Sequence, residues 1–357
     1  MKRLLGLLLV LGMVGCGGGD TSPKSSQAKV DKLPVQTVDM SKLVERDGLM
    51  YEINSEMPFT GVVVGKYENG QKAGEVTIKD GKQEGPTTEW YKNGQKSSES
   101  IWKDGEVASD TRWHKNGQKK SEATYKDGKR EELATDWHEN GQKKAEGTFK
   151  DGKPEGLTRT WYENGKKEAE ATYIDGKSDG LRTEWYEDGQ KRSETNYKDG
   201  EREGLQTFWH ENGQKEAEAT FKDGKREGLV TLWHDNGQKK SEATYKDGKQ
   251  DGPYIAWHEN GQKEVEETCK DGVLVSVTFW DEEGNEIKGV AALKRLEAQI
   301  EQDDQGRVVE LNLMSPKITD AGLEHLKGLT SLQTLNLSRT KITDAGLEHL
   351  KGLTSLQ

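Results

Sequence analysis

Cysteine is nearly missing from this sequence: Cys16 and Cys269 are the only two among 357 residues. No disulfide framework follows from so few, and Cys269 reads as a filler of an aromatic slot rather than a reactive thiol. Hydrophobic residues are scarce too, at 30% against 33% charged, a composition that alone borders on the disordered class. A basic excess is also absent. Lys+Arg number 53 against 64 Asp+Glu, for a net charge of -11, and no basic stripe stands clear of the glutamates. That argues against nucleic acid as a partner. Enzyme signatures are missing as well: no serine or cysteine nucleophile stands with a histidine and an acid outside a repeated context. No catalytic residue and no cofactor are therefore expected. The run Gly17-Gly18-Gly19 has no strand before it and no Gly-Lys-Ser/Thr after it, which excludes a phosphate loop.

What is present is a repeat. Marker tryptophans stand at Trp90, Trp113, Trp137, Trp161, Trp185, Trp209, Trp233, Trp257 and Trp280, spaced by 24 residues except for 23 at the first and last steps. They are read as the structural core of the repeats. A fixed period of this size means a repeat architecture. Each cassette carries an Asn-Gly or Asp-Gly after its tryptophan and an Asp-Gly half a period later, both strong hairpin signals. The turn glycines are Gly94, Gly117, Gly141, Gly165, Gly189, Gly213, Gly237 and Gly261. A three-residue loop, a type I turn closed by left-handed glycine, aligns Trp209 and Thr207 with Lys215 and Ala217 on one face. Leu205, Ala219 and Phe221 join them, while Glu216, Glu218 and Thr220 point the other way. Treating Lys222-Asp223-Gly224 as the same kind of loop gives strands of about 8 and 10 residues.

A large aromatic buries about 150–250 Å², worth about 4–6 kcal/mol. Ordering a cassette costs about 1.5 kcal/mol per residue. One cassette therefore cannot fold alone, and the array must fold by sharing interfaces. The fold class expected is mainly β, an antiparallel β-meander or hairpin repeat array followed by a short α/β leucine-rich-repeat solenoid.

The phrases Trp161-Tyr162-Glu163-Asn164-Gly165 and Phe149-Lys150-Asp151-Gly152-Lys153-Pro154-Glu155-Gly156 resemble the bacterial variant of the MORN repeat. The likeness covers about two thirds of the chain. Some copies depart from it. Glu132 replaces the glycine of Glu-Gly, Trp102 and Cys269 replace Tyr/Phe, and Glu106-Val107-Ala108-Ser109 breaks the pattern; distortion is expected there. The resemblance implies binding rather than catalysis. This variant also occurs in antitoxin-type proteins, an alternative that would need a cytoplasmic address. MORN repeats accompany phosphoinositide kinases in plants, but no stretch here resembles a kinase phosphate loop or catalytic loop. Direct lipid contact, through lysines such as Lys143, Lys144, Lys239 and Lys240, is disfavoured by the net negative charge.

At the start, Met1-Lys2-Arg3 and the apolar stretch from Leu4 to Val14 read as a secretory signal over residues 1–15, too short to span a bilayer. Met13-Val14-Gly15-Cys16 resembles a bacterial lipoprotein processing box, which implies acylation of Cys16 and anchoring without spanning. Gly17 after the cysteine does not signal retention at the inner membrane. Residues 16–48 read as a flexible tether. The array is expected over residues 49–288, opened by a hairpin of Leu49-Met50-Tyr51-Glu52-Ile53 with Phe59-Thr60-Gly61-Val62-Val63-Val64.

Residues 289–307 read as a capping helix and linker, with Leu293, Leu296 and Ile300 on one face. Residues 308–357 repeat a second phrase 24 residues apart, Leu311-Asn312-Leu313 and then Leu335-Asn336-Leu337. These resemble leucine-rich repeats, with Leu323, Leu326, Leu329 and Leu332 lining the core and Asn312 and Asn336 near the turn. The phrase ends at Leu356-Gln357 where another strand is due, so the array is expected to be cut short there.

His114, His138, His210, His234 and His258 follow marker tryptophans, and the ladder invites a metal site. Neighbours in phase lie two strands apart, roughly 9–10 Å, whereas zinc ligands sit about 2.0–2.1 Å from one ion. No metal is expected. Tyr91, Tyr162 and Tyr186 share the slot, so it reads as one for any half-exposed ring. His138-Glu139-Asn140-Gly141-Gln142 lacks the second histidine of a zinc-protease helix and forms a turn. The function expected is a non-enzymatic lipoprotein of the cell envelope, at the outer membrane or periplasmic face. Its partner would be a protein or envelope polymer, bound on the concave leucine-rich strands and the Tyr/His slot.

Overall fold

The computed structural model describes residues 36–314 and 318–357. The signal segment, Cys16 and most of the tether lie outside them. The described residues fall into two compact units, one running to Gly180 with Glu187–Gly189, the other comprising Leu181–Tyr186 with Gln190–Gln357. Both are built mainly from antiparallel hairpins, in which successive strands pair. The chain is mainly β, as its pattern implied.

The first unit begins earlier than residue 49. Thr37–Asp39 pairs parallel with Gly61–Lys66, and Leu43–Arg46 pairs with Leu49–Glu52. The tether therefore ends before Thr37, and Leu49–Glu52 takes Leu43–Arg46 as its hairpin partner instead of the strand that follows. The physical reason is a small apolar core. Phe59, Val63 and Ile78 are buried, with Val38, Met40, Leu43 and Met50 packed on them, so residues 37–46 supply side chains the cap needs.

One repeat of the second unit shows how the cassettes are made. Strand Glu201–Trp209 leads into a turn in which the Gly213 N–H donates to the His210 carbonyl and the His210 N–H to Gln214, both at 2.9 Å. Gly213 sits at φ +81, the type I turn closed by left-handed glycine that the sequence predicts. All eight turn glycines from Gly94 to Gly261 have φ between +80 and +90. The second turn differs from expectation. Lys222 pairs with Lys225 across a two-residue loop, with Asp223 at φ +48 and Gly224 at φ +75. Positive φ at both positions is the turn whose twist matches that of the strands, and aspartate tolerates it. Strands are 8 and 9 residues long, as in Lys215–Lys222 and Lys225–Trp233.

Two bulges per repeat set the faces. Trp209 pairs with Lys215, but Phe208 pairs with Ala217, which leaves Glu216 as an extra residue. Beyond it the register is shifted by one, so Thr207 lies opposite Glu218 and Leu205 opposite Thr220. The expectation that Trp209 and Leu205 share a face with Ala217, Ala219 and Phe221 is thus overturned. The second bulge lies where Phe221 pairs with Arg226 while Ala219 pairs with Val230, so the Glu227-Gly228 dipeptide is looped out. Gly228 takes φ +80 there. In the copies opened by Glu106 and Val273 this bulge is one residue shorter, Trp102–Val107 being followed by Ile101–Ser109 and Cys269–Leu274 by Thr268–Ser276. That is the origin of the two 23-residue steps.

At the end of the second unit, a helix covers Gly289–Arg295, shorter than expected, and Gln299–Gln302 forms a strand paired with Val308–Asn312. Ile300 therefore reaches the core from a strand, not a helix. Val308–Asn312 pairs parallel with Thr334–Asn336. Leu323, Leu326 and Leu332 are fully buried and Leu329 packs against them, while Asn312 and Asn336 accept from the N–H groups of Met314 and Ser338. The backing element after Val308–Asn312 is a short α-helix, Asp320–Leu323, continued by a 3-10 turn, Glu324–Leu326.

Candidate functional site

The tryptophan side of each hairpin is a set of clasps between successive repeats. The bulge at Glu216 brings Lys215 and Glu218 to the same face, where they form an ion pair. Eight further copies repeat that pair, from Lys72–Glu75 to Lys263–Glu266. Lysines of this row also lie over the next repeat's indole, Lys215 being 5.6 Å from the Trp233 ring centre and Lys239 5.8 Å from that of Trp257. A cation over an aromatic face is attracted by the ring quadrupole. The marker tryptophans are consequently half-buried under lysine, and none belongs to the buried core, which instead holds Ala219, Phe221 and Val230. This corrects their expected role. They are the ledges that lysines cap, not the centre of an apolar layer.

The ring that opens each Asn-Gly or Asp-Gly turn has a defined task. Tyr67, Tyr91 and Tyr186 donate Oη–H, and His114, His138, His210, His234 and His258 place Nε2, at 2.6–3.5 Å from the carbonyl of the next repeat's tryptophan. A carbonyl only accepts, so Nε2 carries the proton in every histidine copy. The slot thus requires a ring with a donor at its far end, and it is not an exposed recognition surface: the His114 and His138 side chains are 13% and 12% exposed. Among the described residues no group of three or more His, Cys, Asp and Glu is placed to hold a metal ion.

Asparagine and glutamate complete the clasps. Asn140 accepts from the Gln142 N–H and donates Nδ2–H to the Glu163 carbonyl of the next turn. On the opposite row of turns, Glu203 accepts from the Asp223 N–H at 2.9 Å and Glu227 from Asp247 at the same distance. The looped-out Glu-Gly exists to reach that N–H. In the copy with Glu132 in place of glycine, Glu132 adopts φ +62 and Glu131 still bonds the Asp151 N–H; the expected distortion is absorbed as local strain.

With the clasps accounted for, one feature of this side has no scaffold role. In five repeats the residue after the two-residue bulge is a leucine, Leu133 and Leu157 in the first unit and Leu181, Leu205 and Leu229 in the second, with exposures of 54, 39, 48, 47 and 54%. The sequence carries the signal as a leucine recurring every 24 residues, but the bulge at Glu216, which the residue pattern does not reveal, decides that Leu205 emerges on the surface and not in the core.

The other side varies from copy to copy. The positions one and three residues before the tryptophan are Arg112 and Asp110, Asp136 and Ala134, Thr160 and Thr158 in the first unit, but Phe208 and Gln206, Leu232 and Val230 in the second. In the last repeats, Glu267 takes the slot of the buried Ala219 and Ala243, and burial pushes its carboxyl above the usual range. Burial first, and then the neighbouring Glu267, raise the Tyr254 phenol. Cys269 lies opposite Gly252 as Phe221 lies opposite Gly204, and burial raises its thiol.

Residues 111–127, 133–151, 154–175, 178–199, 202–223 and 226–247 match the MORN repeat variant, and residues 328–351 match a leucine rich repeat. No curated protein matches the chain. Among solved structures, the TcdB2-TccC3-Cdc42 complex is 10% identical over 69% of this chain and 15% of that one, with a TM-score of 0.16. The Tc holotoxin pore of Photorhabdus luminescens is 11% identical over the same shares, at 0.17. The chain spans 15% of the length of those proteins, and the superpositions are too poor to carry an argument. It is a repeat protein with six MORN-variant repeats and a leucine-rich repeat, modules that in general mediate binding to proteins or membranes.

Proposed function

We propose that this protein is a non-enzymatic binding or scaffold module, exported and held at the bacterial cell envelope by acyl chains on Cys16, whose partner docks on the leucine row of the tryptophan side. The observation that carries the docking surface is that row. The same slot holds a leucine in two repeats of the first unit and in three of the second, exposed by 39–54%. Exposed apolar side chains scattered singly need no explanation, whereas an ordered row does. Charged neighbours do not compete for a partner, because Lys215–Glu218 and its equivalents neutralise one another. The anchor rests on the sequence of residues 1–16.

A photo-crosslinking side chain at position 157 or 205 should trap a partner in intact envelopes, and aspartate at the adjoining Leu133 or Leu229 should reduce trapping severalfold. Equal trapping from a probe at exposed Lys240 would reject the leucine row. Radiolabelled fatty acid should enter the wild-type protein and not Cys16→Ser; equal labelling of both rejects the anchor.

A further inference from the structure

Within the first unit, strands Glu106–Trp113, Lys119–Lys126 and Lys129–Trp137 frame a cleft of about 380 Å³ on the alanine side of the repeats. That is the size range of small-molecule sites. Its floor is made by Ala123 and Ala134, both buried. In the second unit the matching pair is Ala219 and Val230, and Phe221 with Tyr245 packs over it, so the space is closed there.

Three cations stand around the cleft without an ion pair among the described residues: Lys120, Arg130 and Lys144. The adjacent Lys119 and Lys143 are engaged with Glu122 and Glu146, so it is the extra residue of each bulge that brings an uncommitted lysine here. A local excess of positive charge in a protein of net charge -11 concentrates anions at that point.

Among the described residues no cation lies over the ring of Tyr125. In three other copies an arginine of the preceding strand covers this ring: Arg130 over Phe149 at 5.5 Å, Arg202 over Phe221 at 4.1 Å, Arg226 over Tyr245 at 5.4 Å. In the copy with the shortened bulge, Val107 occupies the arginine's place, pairing with Trp102 as Arg226 pairs with Phe221. An aromatic face without its cation is a platform for the polarised C–H groups of a sugar ring.

Three carboxylates line the same space, of which Glu122 is taken up by Lys119 at 2.6 Å. Asp110 is held by the Ser100 hydroxyl at 2.8 Å and by Arg112 at 2.7 Å, and Asp136 lies beside it. They repel a multiply charged ligand such as a phosphate ester, yet accept hydrogen bonds from hydroxyl groups. A singly charged, polyhydroxylated ligand satisfies both sets. We propose that this cleft binds an acidic saccharide unit, a hexuronate residue of an anionic polysaccharide, with the carboxylate toward Lys120, Arg130 and Lys144 and the ring on Tyr125. The site is separate from the leucine row, and neither depends on the other.

The test is calorimetric titration of the full-length protein with a galacturonate trisaccharide, a neutral galactose trisaccharide, inorganic phosphate and a tri-glutamate peptide. The acidic sugar alone should bind, weakening about tenfold between low salt and 0.5 M NaCl as charges are screened. Replacing Lys120, Arg130 and Lys144 together by glutamine should cost about tenfold or more, the loss of one ion-pairing group's worth of affinity. Tyr125→Ala should weaken the sugar and leave the salt dependence intact, and Lys240→Gln should change nothing. Circular dichroism of each variant checks that the repeats persist. No heat with the galacturonate trisaccharide, equal affinity for the peptide or phosphate, or indifference to the triple substitution would overturn the proposal.

Discussion

His210 makes one hydrogen bond that spans two repeats, from Nε2 to the Trp233 carbonyl at 3.2 Å. His210→Phe keeps the ring and removes the donor, and should lower stability by about 1 kcal/mol. His210→Tyr should restore it, as Tyr186 does with Trp209 at 2.7 Å; equal urea midpoints for the two variants would refute the clasp. Glu132 is the converse case, a non-glycine residue at φ +62. Glu132→Gly should raise stability by about 0.5–1 kcal/mol, the relief of left-handed strain less the greater freedom of the unfolded chain. Glu267 sets a pH dependence. Burial raises its carboxyl in the fold above its value in the unfolded chain, so between the two the folded state binds the extra proton and stability falls as pH rises. Unfolding midpoints measured from pH 4 to 7 should show Glu267→Gln gaining on the wild type toward neutral pH. A constant difference would assign the effect to packing alone.

At the level of the hairpin, the Asn-Gly turn and the bulge after it act as one unit. The left-handed glycine closes the turn, and the bulge then moves lysine and glutamate onto one face, where lysine caps the next indole. Gly237 shows the constraint. Its φ is +81, and an added Cβ would lie 2.1 Å from Gln214 Oε1, the mobile end of a side chain that can yield. The cost of Gly237→Ala is therefore the backbone term, about 1 kcal/mol. A midpoint unchanged in urea would show that the turn relaxes to another type. The same substitution at Gly94, whose Cβ would meet nothing within 4 Å, should cost the same, which separates conformation from contact.

For the whole chain, stability is a sum over links between neighbours rather than a property of one core. In the hairpin array the buried clusters are small and local: Ala219, Phe221 and Val230 form one, and Val277, Phe279 and Ala292 another, whereas the leucine-rich end has a core of its own around Leu311, Leu323 and Leu326. Removing residues 210–233, one period, joins Trp209 to His234 and recreates every clasp. That deletion should fold, with strand content by circular dichroism intact and a lower urea m-value in proportion to the surface lost. A coil-like spectrum would mean the array needs long-range contacts that the clasp pattern does not contain.

The period, the strand-and-turn alternation, the left-handed glycines after each tryptophan and the leucine core of Leu323, Leu326 and Leu332 were legible in the residues alone, because each depends on local backbone preference or on spacing along one strand. The second turn, the two bulges and the side on which Leu205 emerges were not. A single looped-out residue such as Glu216 leaves composition and period unchanged, yet it exchanges every side chain beyond it between faces. Which residue is looped out is decided only when neighbouring strands pair and their hydrogen bonds must match. For that reason the tryptophans could be found by reading and their task could not: what each indole meets is a lysine from the repeat before, delivered by pairing across strands.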